Sequence, residues 1–159
     1  MSKCEFSYTI DPLAAVNEQR ALSRALARTT PPPPPAPRVR VHRDALVTTP
    51  LHVIVNRARE SARGPERHGS TGTGFGETIA YAHRGFAPLR AGDMGDPDLI
   101  ADHLARYAER SDLIEGVDAD WLTRMAQDLR SCFARVYDVV MAALACALAL
   151  STGLRACCQ

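Results

Sequence analysis

The sequence predicts a mostly helical α/β fold with one or two short strands, a fragment of a larger α/β domain. Three observations predict it. Asp-Pro pairs precede amphipathic stretches at Asp11-Pro12 and Asp96-Pro97, and such a pair supplies an N-cap followed by a proline at the first helical position. Alternation of the strand kind is confined to RVRVHRDALV, residues 38–47. A sheet that small does not stabilise itself, so more of an α/β domain is expected around it.

The elements follow in order. DPLAAVNEQRALSRALA, Asp11–Ala27, places Leu13, Val16, Leu22 and Leu26 on one stripe and predicts a helix. TTPPPPPAP, residues 29–37, cannot be helix, because successive prolines lack N–H donors and favour the extended polyproline form. It reads first as a stiff surface spacer; the functional alternative is a ligand for a proline-binding domain. Residues 38–47 follow as the short strand and its exit. Thr48, Thr49 and Pro50 open a helix that runs to Arg63 and is stopped by Gly64-Pro65. On it, His52 reads as a core or end-capping residue, and Arg57, Arg59 and Arg63 as a solvated face. Further helices are expected over Pro97–Arg110, over Asp118–Leu129 with Trp121, Leu122 and Met125 on one side, and finally over Phe133–Leu150.

Bulk properties exclude some classes of function. The 159 residues are the size of one domain, and the formal net charge of +1 gives no reason to expect a nucleic-acid partner. Five cysteines contain no CxxC pair, and the five histidines share no i, i+4 spacing on a common helix, so no metal site is expected. Free thiols imply a reducing, cytoplasmic setting. The N-terminus has no signal-peptide character. The uncharged run Val139–Leu154 falls short of the roughly 20 residues that span a bilayer, so a buried helix is expected there rather than a membrane anchor.

One stretch carries chemistry. In HGSTGTGFG, residues 68–76, four glycines stand at 69, 72, 74 and 76, with Ser70, Thr71 and Thr73 between them. Glycines permit positive φ and expose backbone N–H groups, which can converge into an anion-binding nest. The hydroxyls add donors, and Arg67 and His68 add charge at the entrance. A phosphate is the natural guest, and a flexible linker is the alternative. The spacing matches neither common nucleotide motif. Phe75 stands where a P-loop needs lysine, and the GxGxG run follows a helix, not a strand. No serine or cysteine lies in a nucleophile elbow, so no catalytic residue is assigned.

His52, Ala58-Arg59-Glu60, Ala62-Arg63-Gly64 and Gly69–Gly76, in that order and spacing, resemble the central part of adenylosuccinate synthetase. The family pattern there reads approximately HxxxxxAREKARG, three residues, then GTTGRGIG. Arg90-Ala91-Gly92-Asp93 is similar to the family's RVGD. The resemblance assigns residues 8–130 to a central segment of that α/β domain and leaves 131–159 as an unrelated apolar tail. It implies a role in AMP synthesis, the GTP-dependent ligation of IMP and aspartate, with GTP and magnesium as cofactors. It implies that the loop takes the 5′-phosphate of IMP. Thr71 is the matching threonine, with Ser70 and Gly72 beside it. It also implies a homodimer in which an arginine reaches the partner's IMP phosphate. Ala82 occupies the lysine position of that lysine-xx-arginine pair, and Arg84, the nearest arginine, stands one residue out of register. Glu77 replaces a family proline, as in a divergent branch. The GDEGKGK and NKxD segments have no counterpart, so the chain is expected to be inactive alone. The reading from a different class is a non-catalytic phosphate-binding or helical interaction module.

Overall fold

The computed structural model describes residues 8–140, apart from 30–31, 33–34 and 67–68. Its elements are β1 (Thr9–Ile10), α1 (Pro12–Thr29), β2 (Val39–His42), β3 (Leu46–Val47), α2 (Pro50–Ala62), α3 (Phe75–His83), α4 (Pro97–Glu109), α5 (Ala119–Val136) and β4 (Tyr137–Val140). The chain is mostly helical with a few short parallel strands, as the sequence predicts.

The helix starts are set by the residues that the sequence marks. Asp11 Oδ1 accepts the N–H groups of Leu13 and Ala14, each at 3.0 Å. Asp96 caps α4 through Asp98 and Leu99, and Asp118 caps α5 through Trp121. Each carboxylate takes up a donor that the first turn leaves unpaired, with its charge at the positive end of the helix. Pro50 and Pro97 sit where the missing N–H costs nothing.

The core forms where α5 packs on both α1 and α4, with β3 and α2 closing it. Leu51, Val55, Ile100, Leu104 and Leu129 are fully buried. The strands pair in two parallel ladders. Thr9 and Ile10 align with Leu46 and Val47, and Val39–His42 align with Tyr137–Val140. Arg38 fastens the second ladder, donating to Asp138 and to the Tyr137 carbonyl.

Two expectations are corrected. The strand expected across 38–47 breaks at Arg43-Asp44, where the Ala45 N–H turns back to the His42 carbonyl at 3.0 Å. The helix expected from Phe133 is not a separate element. α5 runs on through Ser131, because Ala126, Leu129, Phe133 and Val136 continue one buried stripe. Tyr137–Val140 then turns extended, as suits a β-branched and aromatic run beside an available strand. The boundary expected at residue 131 therefore falls inside α5, and Phe133, Val136 and Tyr137 belong to the core. Residues 141–150 of that expected helix lie outside the described residues. No helix among the described residues is long and apolar enough to cross a membrane.

Candidate functional site

The glycine loop lies across α2 and feeds directly into α3. Gly69, Gly72 and Gly74 take φ of 70°, 68° and 79°, so three of the four glycines adopt the left-handed backbone that the sequence predicts. Gly76 lies within α3. At Gly74 the need for glycine is also steric. A Cβ there would stand 2.8 Å from the Val53 nitrogen and 3.0 Å from the His52 carbonyl carbon. The loop thus approaches the α2 backbone as closely as a chain without side chains can. Thr78 completes the join. Its hydroxyl donates to the Gly74 carbonyl at 3.0 Å and lies 2.8 Å from the buried Thr48 hydroxyl.

Two loop residues, Ser70 and Gly72, are braced from α2. Ser70 Oγ donates to Asn56 Oδ1 at 3.0 Å and accepts the Gly72 N–H at 3.2 Å. Arg57 Nε donates to the Gly72 carbonyl at 3.2 Å. Thr71 and Thr73 hydrogen-bond each other through their hydroxyls at 3.0 Å and are exposed. The N-cap of α3 is Gly74, which has no side chain to occupy the first N–H groups of the helix. Exposed hydroxyls, a left-handed glycine backbone and an uncapped helix start together offer donors to an anion. The expected entrance charges, Arg67 and His68, lie outside the described residues.

A second constellation adjoins the loop, with a buried carboxylate at its centre. Glu77, in the first turn of α3, is 7 % exposed. Its carboxylate pairs with Arg59, accepts the Tyr107 hydroxyl at 3.3 Å, and lies 4.0 Å from Arg84 Nη1. The rings of His52, Tyr81, His103 and Tyr107 stack behind it, with His52 and Tyr107 centroids 4.4 Å apart. His52 is both the core residue and the end-cap that the sequence predicts. Its Nδ1 accepts the Thr49 N–H at 3.0 Å, which places the ring proton on Nε2. Neither His52 Nε2 nor His103 Nε2 has a hydrogen-bond partner among the described residues. Burial, reinforced by the neighbouring His103, pulls His52 down to about 3. Burial, with the charge of Arg106, pulls His103 down to about 4. Burial, with the Glu77 carboxylate, pushes the Tyr107 phenol well above its usual range. The rings behind the Glu77–Arg59 pair are neutral and packed.

The structure groups Ser70, Thr71 and Gly72 in one loop and sets Arg84 apart. Arg84 is the C-cap of α3, a helix of nine residues. At about 1.5 Å per residue its backbone stands roughly 15 Å along the helix from Gly74, while its guanidinium folds back to 4.0 Å from the Glu77 carboxylate. A cleft of about 200 Å3 lined by Tyr81, Gly85, Phe86, Ala87, Arg106 and Arg110 opens at that far end, with the Arg110 guanidinium 4.4 Å over the Phe86 ring. Arg57 and Arg63 are exposed, as the reading of a solvated face expects, and Arg59 departs from it. Arg57 holds the loop, Arg59 pairs with buried Glu77, and Arg63 pairs with Glu60. Sequence reasoning missed Asn56 and Glu77. The available signal was the i, i+4 pair Asn56 and Glu60, which turns one side of α2 toward the loop.

The fold and site therefore define a mostly helical α/β chain whose glycine loop, left-handed at three positions, opens a helix beside a buried ionic anchor. The sequence matches no family model. A 62-residue segment is 42 % identical to adenylosuccinate synthetase 1 of Pseudoalteromonas translucida (strain TAC 125), a match covering 38 % of this chain and 14 % of that protein. The likeness is partial on both sides and suggests a relation to that family.

Proposed function

We propose that this chain is an adenylosuccinate synthetase-like protein whose Gly69–Gly76 loop grips the 5′-phosphate of IMP. One observation carries the reading: the loop that resembles the family's phosphate loop has left-handed glycines and exposed Thr71 and Thr73 hydroxyls at an uncapped helix start. The partial likeness to a named adenylosuccinate synthetase supports it. The segment carrying the resemblance is 8–130, and the fold built on it continues through Val140.

Binding is proposed without turnover. GTP, magnesium and aspartate belong to the reaction of the family that the chain resembles. The family segments GDEGKGK, which carries the catalytic aspartate, and NKxD, which reads guanine, both require lysine, and the single lysine of these 159 residues is Lys3. Phosphoryl transfer rests on positioning and on neutralising phosphate charge, so a chain without those residues is expected to bind and not to ligate. Arg84, at the C-cap of α3 with its guanidinium 4.0 Å from the Glu77 carboxylate, is proposed to meet a phosphate across a homodimer interface, as the resemblance implies.

Calorimetric titration of IMP into the full chain, with GTP as control, tests the reading. IMP should bind and GTP should not. Thr71→Val should weaken IMP or phosphate roughly ten-fold, the loss of one hydrogen bond to a charged group. Absence of binding by IMP and phosphate at millimolar concentration would leave the loop a linker. Adenylosuccinate formation by the pure chain, abolished by Thr71→Val, would show catalysis instead.

A further inference from the structure

We propose that Asn56 is a positioning residue for the phosphate loop, and that the Ser70 hydroxyl serves the loop rather than the ligand. This rests on the phosphate reading above. A serine hydroxyl has one proton to give. Ser70 gives it to Asn56 Oδ1 at 3.0 Å, while its oxygen accepts the Gly72 N–H at 3.2 Å. No proton of Ser70 remains for a phosphate oxygen. Thr71 and Thr73 differ. One hydroxyl donates to the other at 3.0 Å, which leaves one proton of the pair free on an exposed surface.

The brace has a second half. Arg57, the next residue of α2, takes the Gly72 carbonyl at 3.2 Å. The peptide before Gly72 is therefore fixed through Ser70 and Asn56, and the peptide after it through Arg57. Across a trans peptide the N–H points opposite to its C=O, so turning the Gly72 carbonyl toward Arg57 turns the Thr73 N–H away from α2. The ligand-facing donors are the Thr73 N–H and the hydroxyl pair, a set suited to a tetrahedral oxyanion such as a phosphate monoester. Asn56 and Ser70 touch no ligand. They hold Gly72 at φ 68°, the left-handed turn on which that orientation depends.

The experiment is a titration of the full chain with inorganic phosphate, followed through the backbone amide signals of Gly72 and Thr73. Asn56→Leu and Ser70→Ala should each weaken phosphate by roughly three- to ten-fold. The double variant should be no weaker than either single one, because both act through one chain of hydrogen bonds. The Gly72 amide signal should move in both single variants before any phosphate is added. Asn56→Asp, which can only accept, should leave that signal in place. Additive losses in the double variant, or a Gly72 amide unmoved by Asn56→Leu in a normally melting protein, would overturn the proposal. Failure of the unaltered chain to bind phosphate would overturn the phosphate reading instead, and the Gly72 amide would still decide whether Asn56 sets the loop.

Discussion

One helix, α2, serves two regions held by opposite means. Toward the glycine loop it presents Asn56, Arg57 and Glu60, whose bonds to Ser70 and Gly72 are exposed and exchange readily with water. Toward the ring cluster it presents His52, Val55 and Arg59, where His52 and Val55 are almost fully buried and Arg59 reaches a buried carboxylate. Exposed polar bonds contribute little net stability, because water replaces them at small cost. Buried ones are costly to break, because the abandoned partner keeps its desolvation penalty. The difference teaches that stability and the proposed anion binding are separable in this chain. Changes on the cluster side should move the melt, and changes on the loop side should move binding.

The largest effect should come from ending the chain at Arg130. That removes Phe133, Val136 and Tyr137 from the core and strips β2 of its partner β4. A single buried Phe→Ala change already costs about 3–5 kcal/mol, so the truncated chain is expected to lose its cooperative thermal melt. Survival of that melt would show that the stripe from Ala126 to Val136 is not core.

Acid should be the next strongest probe. The ordinary value of 6.5 falls to about 3 for His52 and to about 4 for His103 on folding. The unfolded chain therefore binds more protons than the folded one below 6.5. Stability is complete above that value and falls as pH drops toward the folded values, by about 1.4 kcal/mol per pH unit for each histidine. Denaturant melts recorded down the pH scale should show this slope, and His103→Leu should roughly halve it. A slope unchanged by that substitution would mean that other groups drive the loss.

Glu77→Ala should follow, at about 2–3 kcal/mol, below the range for a fully buried pair because the Arg59 side chain is 39 % exposed. Its melt should drop while the Ser70 and Gly72 signals stay in place. A loop that shifts with Glu77 would join the two regions. Gly74→Ala should cost at least as much: about 1–2 kcal/mol for a left-handed non-glycine residue, and more because its Cβ would stand 2.8 Å from the Val53 backbone nitrogen, which cannot swing aside. It is the one change expected to disturb both the melt and phosphate binding, since Gly74 is where the loop touches the α2 backbone. A melt unchanged by it would show that the close approach is relaxed in solution.

Local signals made much of the fold legible. Asp11, Asp96 and Asp118 mark helix starts within a residue, because capping depends on neighbours in sequence. The left-handed glycines at 69, 72 and 74 were readable for the same reason. What depended on distant partners was not. The end of α5 is set by β2, about a hundred residues earlier, which turns Tyr137–Val140 from helix to strand. Arg59 reads as a surface charge until α3 brings Glu77 against it. Asn56 carries no motif of its own, and its role follows from where the loop returns.

The parallel pairing of β2 with β4 sets a schedule for making the protein. Arg38 meets Asp138 across a separation of 100 residues, and every rung between Val39 and His42 waits on a partner of the same late origin. Contacts so far apart in sequence form slowly, because the intervening chain must first be brought to order. During synthesis the delay is longer still. At about 5–20 residues per second, β2 leaves the ribosome roughly 5–20 s before the strand that completes it. In that interval the nascent chain carries an open β edge directly after its run of prolines. Proline cannot donate to a β ladder, so the run of prolines cannot itself extend that edge.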